Sequence, residues 1–414
     1  MRIEVVNTGT ELLLGKVVNT HAGYFGEELF KLGLRIQRQT TIPDGEEIRA
    51  VLEEAFPRCD AILITGGLGP TSDDITREMI AVMLGRELHL DSSIRNEIRE
   101  MFRSRGLKAS RSNDRQAMVP EGAEVLANPF GTAPGLYLSA DAERGSPHLF
   151  IMPGPPRELK PMFENLVYPK LAKLRGDVTA SVWHNLRVYG VGESALASVI
   201  EPRLAEIQDI ELGYCARLGE VDVRLIGAQS SVEKAVEIVR SEFGDMIVTE
   251  TEDSIAKVVM DLLVEKGETV STAESCTGGF IASTLTDESG SSAILGSSYV
   301  TYANEAKTKI LGVSPEMLQE HGAVSNEVAR AMAEGCLRIS GADHSIAVSG
   351  IAGPTGGSEE KPVGTVHIAI ASRGDETFAK RYFHPSDRVS FKRRITRLAL
   401  DLLRRRLRGF SLDY

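Results

Sequence analysis

The chain has 414 residues, too many for one ordinary hydrophobic core, so two or three domains are expected. With 42% hydrophobic and 25% charged residues, and no apolar run near the ~20 residues of a membrane span, the composition excludes a disordered chain and a helical membrane protein. A formal net charge of −11 argues against nucleic acid as a general partner, while leaving room for a local basic patch.

The N-terminus enters Ile3-Glu4-Val5-Val6 with no leader-like basic and apolar stretch. A cytoplasmic protein is therefore expected. Cys59, Cys215, Cys276 and Cys336 are far apart with no CxxC pair, which points to reduced thiols, without a disulfide framework or a thiolate zinc site. Over the first ~165 residues strand and helix signals alternate. Ile3 to Asn7 reads as a buried strand, Asn19 as the cap of a helix running to Gly33, and Arg35 to Ile42 as the next strand. Asp44 and Glu47 resemble a capping box for a helix ending near Phe56, and Ala61 to Thr65 is a further strand. Such alternation predicts a parallel sheet covered by helices, with ligands beyond the C-terminal strand ends. The loop Gly66-Gly67-Leu68-Gly69-Pro70-Thr71-Ser72-Asp73-Asp74 falls there. It lacks the GK[ST] of a P-loop and the spacing of GxGxxG. Its glycines permit close approach to phosphate oxygens, and Asp73 with Asp74 can bind a divalent ion or cap the helix beginning near Ile75.

From ~170 to ~250, strands at Asn185 to Tyr189 and Val221 to Ile226 interleave with helices at Ser194 to Leu204 and Val232 to Phe243, a small α+β module. The remainder again alternates helix and strand. It ends in a basic segment from Arg388 to Arg408 whose apolar stripe, Ile395, Leu398, Leu402 and Leu403, predicts a closing helix with one buried and one solvated face. Thr-Gly-Gly recurs at 65–67, 277–279 and 355–357, in surroundings too different for a repeat.

Within the last domain, residues 271–279 read STAESCTGG. Thr269 to Thr272 is β-prone and Phe280 to Leu285 helical, so Ser275 is expected on a strand-to-helix turn. Backbone N–H groups there suit an oxyanion or a phosphate, although Ser275 or Thr277 can equally be a helix cap. A serine needs a base, and no histidine is near. Tyr302 and Lys307, in Tyr299 to Lys307, are expected at the same sheet edge, where partial burial can depress a lysine pKa. Cys276 is the rival nucleophile on intrinsic reactivity.

AESCTGG, GSS, VTYANEAK, GIAGPTGG and KPVGTVHIA occur in this order over ~160 residues. Together they resemble the C-terminal domain of the CinA family (competence/damage-inducible protein A), which resembles nicotinamide mononucleotide (NMN) amidohydrolases with a Ser-Tyr-Lys arrangement. The resemblance implies Ser275 as nucleophile, Tyr302 and Lys307 as the proton-handling pair, and no cofactor at this site. Cys276, Thr277 and Gly278 would line the turn. Gly350, Ala352, Gly353 and Gly356, with Lys361, would cradle the ribose phosphate unless the loop is an ordinary turn. Arg388 sits in a Ser386-Asp387-Arg388 stretch similar to a GDR-like motif, with Ser386 departing from glycine, and would meet the phosphate unless it is a solvated helix start.

TGTELLLGKVVNT, TGGLGPTSDD and MPGPPRE resemble the molybdopterin-binding fold of the N-terminal part of CinA proteins, a version associated with metal-dependent cleavage of ADP-ribose to AMP and ribose 5-phosphate. That implies nucleotide binding by Gly66, Gly67, Gly69 and Thr71 and a divalent Mg, Mn or Co ion on Asp73 and Asp74. Glu193, in Gly190-Val191-Gly192-Glu193, resembles a residue completing that pocket, and can also be a plain helix-start carboxylate.

The whole is thus expected to be α/β: a molybdopterin-binding-like domain over 1–168, a KH-like α+β module over 169–250 and an amidohydrolase domain over 251–414. The expected function is a two-activity enzyme of pyridine-nucleotide salvage, a homodimer acting on NMN and ADP-ribose away from any membrane. The alternatives are a pterin- or nucleotide-binding protein without turnover and a DNA-associated competence factor.

Overall fold

All side chains of the strands Ile3–Thr8 and Ala61–Thr65 are buried, because the sheet they occupy is covered on both faces. Ile3, Val5, Ala61 and Leu63 pack with Phe25, Leu29 and Phe163 on one side. Val6, Ile62 and Ile64 pack with Leu52, Ile80 and Leu84 on the other. In this computed structural model, which describes residues 1–176 and 181–413, residues 1–181 form one compact unit and 182–414 a second. The sheet of the first unit runs Ile36–Ile42, Ile3–Thr8, Ala61–Thr65, His148–Met152, Gly135–Leu138, Glu124–Leu126. The first four strands are parallel. The last two are short and joined antiparallel, Gly135–Leu138 to His148–Met152 and Glu124–Leu126 to Gly135–Leu138, so the expected parallel sheet carries an antiparallel edge.

Two expected helix starts are built differently. The helix His21–Lys31 begins at Thr20 without a side-chain cap, and the Asn19 carboxamide oxygen accepts from His21 N at 3.0 Å. The helix Glu47–Ala55 also lacks a side-chain cap. Asp44 instead accepts from Thr10 N at 3.0 Å, tying together two loops at the strand ends.

In the second unit, Ile210–Arg217, Glu220–Gly227, Val182–Tyr189 and Ile247–Thr249 form an antiparallel sheet, packed by the helices Glu193–Leu204 and Gln229–Phe243. A five-stranded sheet follows in the order Leu295–Val300, Val270–Glu274, His344–Gly350, Thr365–Ser372, Phe378–Phe383. Its first three strands are parallel and its last two antiparallel. One face is lined by Ala273, Ala347, Ala369 and Ala371, against Val328, Met332 and Cys336 of the helix Asn326–Ser340. Small side chains let that helix lie close to the sheet. The other face meets Ile255–Lys266 and the C-terminal helix Arg388–Arg408.

That last helix departs from a simple buried-and-solvated division. Ile395, Leu398, Leu402 and Leu403 are buried as expected, and so are Arg404 and Arg405. Arg404 binds Asp401 at 2.7 Å and the Asp245 carbonyl at 2.7 Å, and Arg405 pairs with the Asp245 carboxylate. Part of the basic segment therefore ties the helix to the small module, because a buried guanidinium needs carboxylate and carbonyl partners.

Candidate functional site

Ser275 follows immediately after the strand Val270–Glu274, and its N–H donates to Val348 O at 3.0 Å, extending the sheet by one bond. The chain then turns through Cys276 to Gly279 and enters the helix Phe280–Thr286. Gly278 and Gly279 have φ of 65° and 91°, left-handed values that favour glycine. The neighbouring strand Leu295–Val300 leads to the helix Asn304–Leu311, which carries Lys307 inward.

Lys307 is 1% exposed. Its Nζ donates to the Thr301 and Tyr302 carbonyls at 2.9 and 3.1 Å, and lies 3.2 Å from Ser275 Oγ. The two carbonyls aim the amine, and burial holds its pKa below the ordinary lysine range. Ser275, 9% exposed, thus has a fixed nitrogen base beside its hydroxyl. Cys276 packs in the hydrophobic core. Burial pushes its thiol pKa up to about 12, so it is a neutral, weak nucleophile at pH 7.

Glu274 is a site residue that the sequence motifs do not single out. It is fully buried, and its carboxylate accepts from the amides of Gly279, Ile281 and Ala282 at 2.9, 3.0 and 2.9 Å, and from the Thr272 hydroxyl at 3.2 Å. It therefore occupies the helix N-terminus that the sequence reading reserved for an oxyanion. Gly278 N is also engaged, by Ser275 O at 3.1 Å. Among the described residues, the Cys276 and Thr277 amides have no hydrogen-bonded oxygen; both face only the Cys276 sulfur, a weak acceptor that an oxyanion would displace, so they are the turn's candidate oxyanion donors. The Thr277 hydroxyl is buried without a partner, so this threonine does not cap the helix. A glutamate immediately before a serine on a strand end was the available signal.

Tyr302 meets Lys307 only through its carbonyl. Its phenol, in a side chain 61% exposed, accepts from Arg388 Nη2 at 3.1 Å, while Arg388 Nη1 donates to Gly353 O at 3.1 Å. The structure thus gathers Tyr302, Arg388 and the Gly350–Gly357 loop, but it does not hydrogen-bond the phenol to Lys307 or Ser275. Arg388 can extend this way because Asp387 caps the helix, accepting from Val389 N and Ser390 N at 2.9 and 3.0 Å. A Cβ on Gly350 would stand 2.7 Å from Thr365 O, so close strand approach requires glycine there. Gly353 and Gly356 have positive φ, and Ala352 packs in the core below them. Lys361 is committed elsewhere, donating to His321 O at 2.9 Å. Lys392, one helical turn after Arg388, lies 5.6 Å from the Phe280 ring centroid. Its ammonium would be 3.8 Å from a Cβ on Gly278, so a second cation borders the turn.

In the first unit a cleft of about 360 Å³ opens at the C-terminal strand ends. Gly66, Gly67, Gly69, Asp73 and Asp74 line it, with Glu11, Asp44 and Glu158 contributing further carboxylates. A Cβ on Gly66 would fall 2.5 Å from Thr8 O, and one on Gly69 2.3 Å from Asp74 Oδ2. The backbone is thereby exposed to a ligand where side chains cannot be. Thr71 is turned inward, its N–H donating to Asp74 Oδ2 at 3.0 Å and its hydroxyl to the same oxygen. Asp74 therefore fastens the loop, whereas Asp73 is exposed and its carboxyl is held below the usual range by a hydrogen bond from Thr71. Among the described residues no three His, Cys, Asp or Glu side chains converge to hold a metal by themselves.

Glu193 belongs to the second unit, at the first position of the helix Glu193–Leu204, and lines a cleft there with Glu220 and Arg394. Among the described residues no helix is long and apolar enough to cross a membrane.

Comparison with known proteins gives the same organisation. Residues 4–173 match a probable molybdopterin binding domain, 184–247 the damage-inducible protein CinA KH domain, and 252–407 the CinA C-terminal domain. A CinA-like protein of Akkermansia muciniphila is 44% identical over 400 residues, covering 97% of this chain and 96% of its own. A putative competence-damage inducible protein of Symbiobacterium thermophilum is 45% identical over 427 residues, covering 99% of this chain and all of its own. A crystal structure of the competence/damage inducible protein CihA from Agrobacterium tumefaciens matches 36% of this chain and 91% of its own, at 44% identity and a TM-score of 0.36. With its molybdopterin-binding-like, KH and C-terminal domains in this order and relatives similar over their full length, the chain belongs to the CinA family.

Proposed function

We propose that the C-terminal domain is a serine amidohydrolase that converts NMN to nicotinic acid mononucleotide and ammonia. The observation that carries this reading is the buried Lys307 amine 3.2 Å from Ser275 Oγ. In its neutral form Lys307 takes the serine proton as Oγ attacks the carboxamide carbon. The Cys276 and Thr277 amides receive the oxyanion, and the protonated lysine returns a proton to the departing ammonia. Water then attacks the acyl-enzyme, again with Lys307 as base, and releases the carboxylate and Ser275. Tyr302 and Arg388 border the loop expected to take the ribose phosphate, where the guanidinium supplies the complementary charge. The test is ammonia release from NMN by the wild-type protein beside Ser275→Ala and Cys276→Ala. The reading requires release by the wild type and Cys276→Ala and none by Ser275→Ala; loss in Cys276→Ala alone would reverse the assignment.

The cleft in the first unit favours a second activity, hydrolysis of ADP-ribose to AMP and ribose 5-phosphate. Its support is a glycine-shaped backbone beside carboxylates, an all-oxygen donor set suited to a hard divalent cation such as Mg, Mn or Co. Asp73 and Glu11 would hold the ion together with substrate oxygens, while Asp74, fastened to Thr71, keeps the loop in shape. The bound ion would supply charge neutralisation at the phosphates; Gly66, Gly67 and Gly69 bind and orient them. AMP production that survives Asp73→Ala unchanged would remove that aspartate from the reaction.

A further inference from the structure

Within the second unit, a cleft of about 380 Å³ lies at the seam between the KH module and the C-terminal domain. The KH module contributes the Tyr189–Glu193 turn and Glu220; the C-terminal domain contributes Tyr382, His384 and Arg394. Three of these groups lack the partners that their burial demands. Glu220 is only 4% exposed, yet its carboxylate accepts no hydrogen bond from the described residues, and its ion-pair partner, Arg397, stands 3.9 Å away. The Tyr382 hydroxyl is buried without a hydrogen-bond partner. Arg394 lines the cleft with no hydrogen bond or ion pair to the described residues. Burying a carboxylate and a phenol without hydrogen bonds is unfavourable, and a ligand bearing donors would relieve it.

We propose that this seam is a binding site for a nucleoside monophosphate, distinct from the Ser275 and Gly66–Asp74 sites. Arg394 is the cation for the phosphate. Glu220 is the acceptor for the ribose hydroxyls, since a carboxylate can take both members of a cis-diol. Tyr382 and His384, whose rings are parallel within 9° at 6.5 Å, offer a flat face for the base. Burial, and secondarily Arg394, lower the His384 pKa, so this face is uncharged at pH 7. The helix Glu193–Leu204 also opens on the cleft. Glu193 stands at that opening and opposes a second negative charge, which places the phosphate toward Arg394. The inference stands apart from the proposed activities, because Arg394, Glu220, Tyr382 and His384 are used by neither; Glu193, which resembles a residue of the other nucleotide pocket, only borders this cleft.

The experiment is calorimetric titration of the full chain with AMP, adenosine and inorganic phosphate. It is carried out in an Asp73→Ala, Arg388→Ala background, so that the other two sites contribute least. Saturable AMP binding is expected, weakened about tenfold or more by Arg394→Ala and by Glu220→Gln, with adenosine binding insensitive to Arg394→Ala. Thermal melting of each variant identifies loss of fold, and Tyr382→Phe, which removes only a hydroxyl, supplies a conservative third probe. AMP binding that is absent, or identical with and without both Arg394→Ala and Glu220→Gln, would overturn the proposal. Inorganic phosphate binding as tightly as AMP would likewise overturn the nucleoside assignment.

Discussion

Replacing Glu274 with Gln tests whether this carboxylate builds the reactive turn. One glutamate oxygen accepts from Gly279 N and Ile281 N, and the other from Ala282 N and the Thr272 hydroxyl. A glutamine can keep the first pair with its single carbonyl oxygen. Its amide nitrogen then faces Ala282 N–H, donor against donor, although the Thr272 hydroxyl can turn to accept. The change removes one charge-assisted bond and leaves a buried amide unpaired, a loss of about 1.5–3 kcal/mol. For a unit of this size that corresponds to a melting temperature lower by about 3–12 °C. Because Cys276 and Thr277 lie on the turn that Glu274 anchors, kcat for NMN is expected to fall at least about tenfold at temperatures where the variant is folded, with KM little changed. Thermal melting and ammonia release measured on the same preparation give both numbers. A Gln variant that melts like the wild type and keeps full kcat would refute the claim that this carboxylate holds the turn.

Further outcomes follow from the same geometry. Burial lowers the Lys307 pKa in the fold relative to the open chain, so between the two values the unfolded chain binds more protons. Stability is therefore expected to rise with pH from the folded value up to about 10.5, and kcat/KM for NMN to rise through a limb centred below that ordinary value; a limb at or above it would deny the depressed amine. Lys307→Arg, which cannot deprotonate, is expected to lower kcat about 10²- to 10⁴-fold. Brief iodoacetamide treatment at pH 7.5, read by mass spectrometry, is expected to label the exposed Cys215 and spare Cys276, whose thiol is buried with a pKa of about 12. Asp74→Ala is expected to loosen the Gly66–Asp74 loop by about 1–2 kcal/mol in urea unfolding, since it removes the acceptor of the Thr71 N–H, whereas Asp73→Ala, at an exposed position that takes only a hydroxyl hydrogen bond from Thr71, should shift the unfolding midpoint less.

Periodicity and turn chemistry made the α/β class and the main strands legible. Ile3–Thr8 and Ala61–Thr65 are apolar runs because both of their faces are covered, and that property is written in consecutive residues. The antiparallel edge was not legible, since Gly135–Leu138 and Glu124–Leu126 are only four and three residues long and their direction depends on which strand they meet. Capping proved similarly nonlocal. Asp44 has the spacing of a capping box, but its carboxylate serves Thr10, 34 positions earlier. The Arg388–Arg408 segment read as a stripe and a basic face, whereas Asp245, some 160 positions upstream, draws Arg405 into the interior.

The C-terminal site divides along the same line. Ser275 stands on one strand-to-helix connection and Lys307 in the first turn of the helix that follows the neighbouring strand, so the pattern of elements alone predicts that they share a sheet edge. What local pattern does not carry is the direction of a side chain once several partners compete for it. Tyr302 is followed five residues later by Lys307, yet its carbonyl, rather than its phenol, serves the lysine, and the phenol goes to Arg388 on the last helix. Glu274 shows the converse. A carboxylate on a buried strand end is costly unless it is hydrogen-bonded, so its presence between Ala273 and Ser275 already demanded several donors. The nearest set is the start of the helix Phe280–Thr286. Assigning those amides to the glutamate first leaves Cys276 and Thr277 as the positions where an oxyanion can be held, a conclusion that requires the hydrogen-bond inventory of the whole turn and not the motif alone.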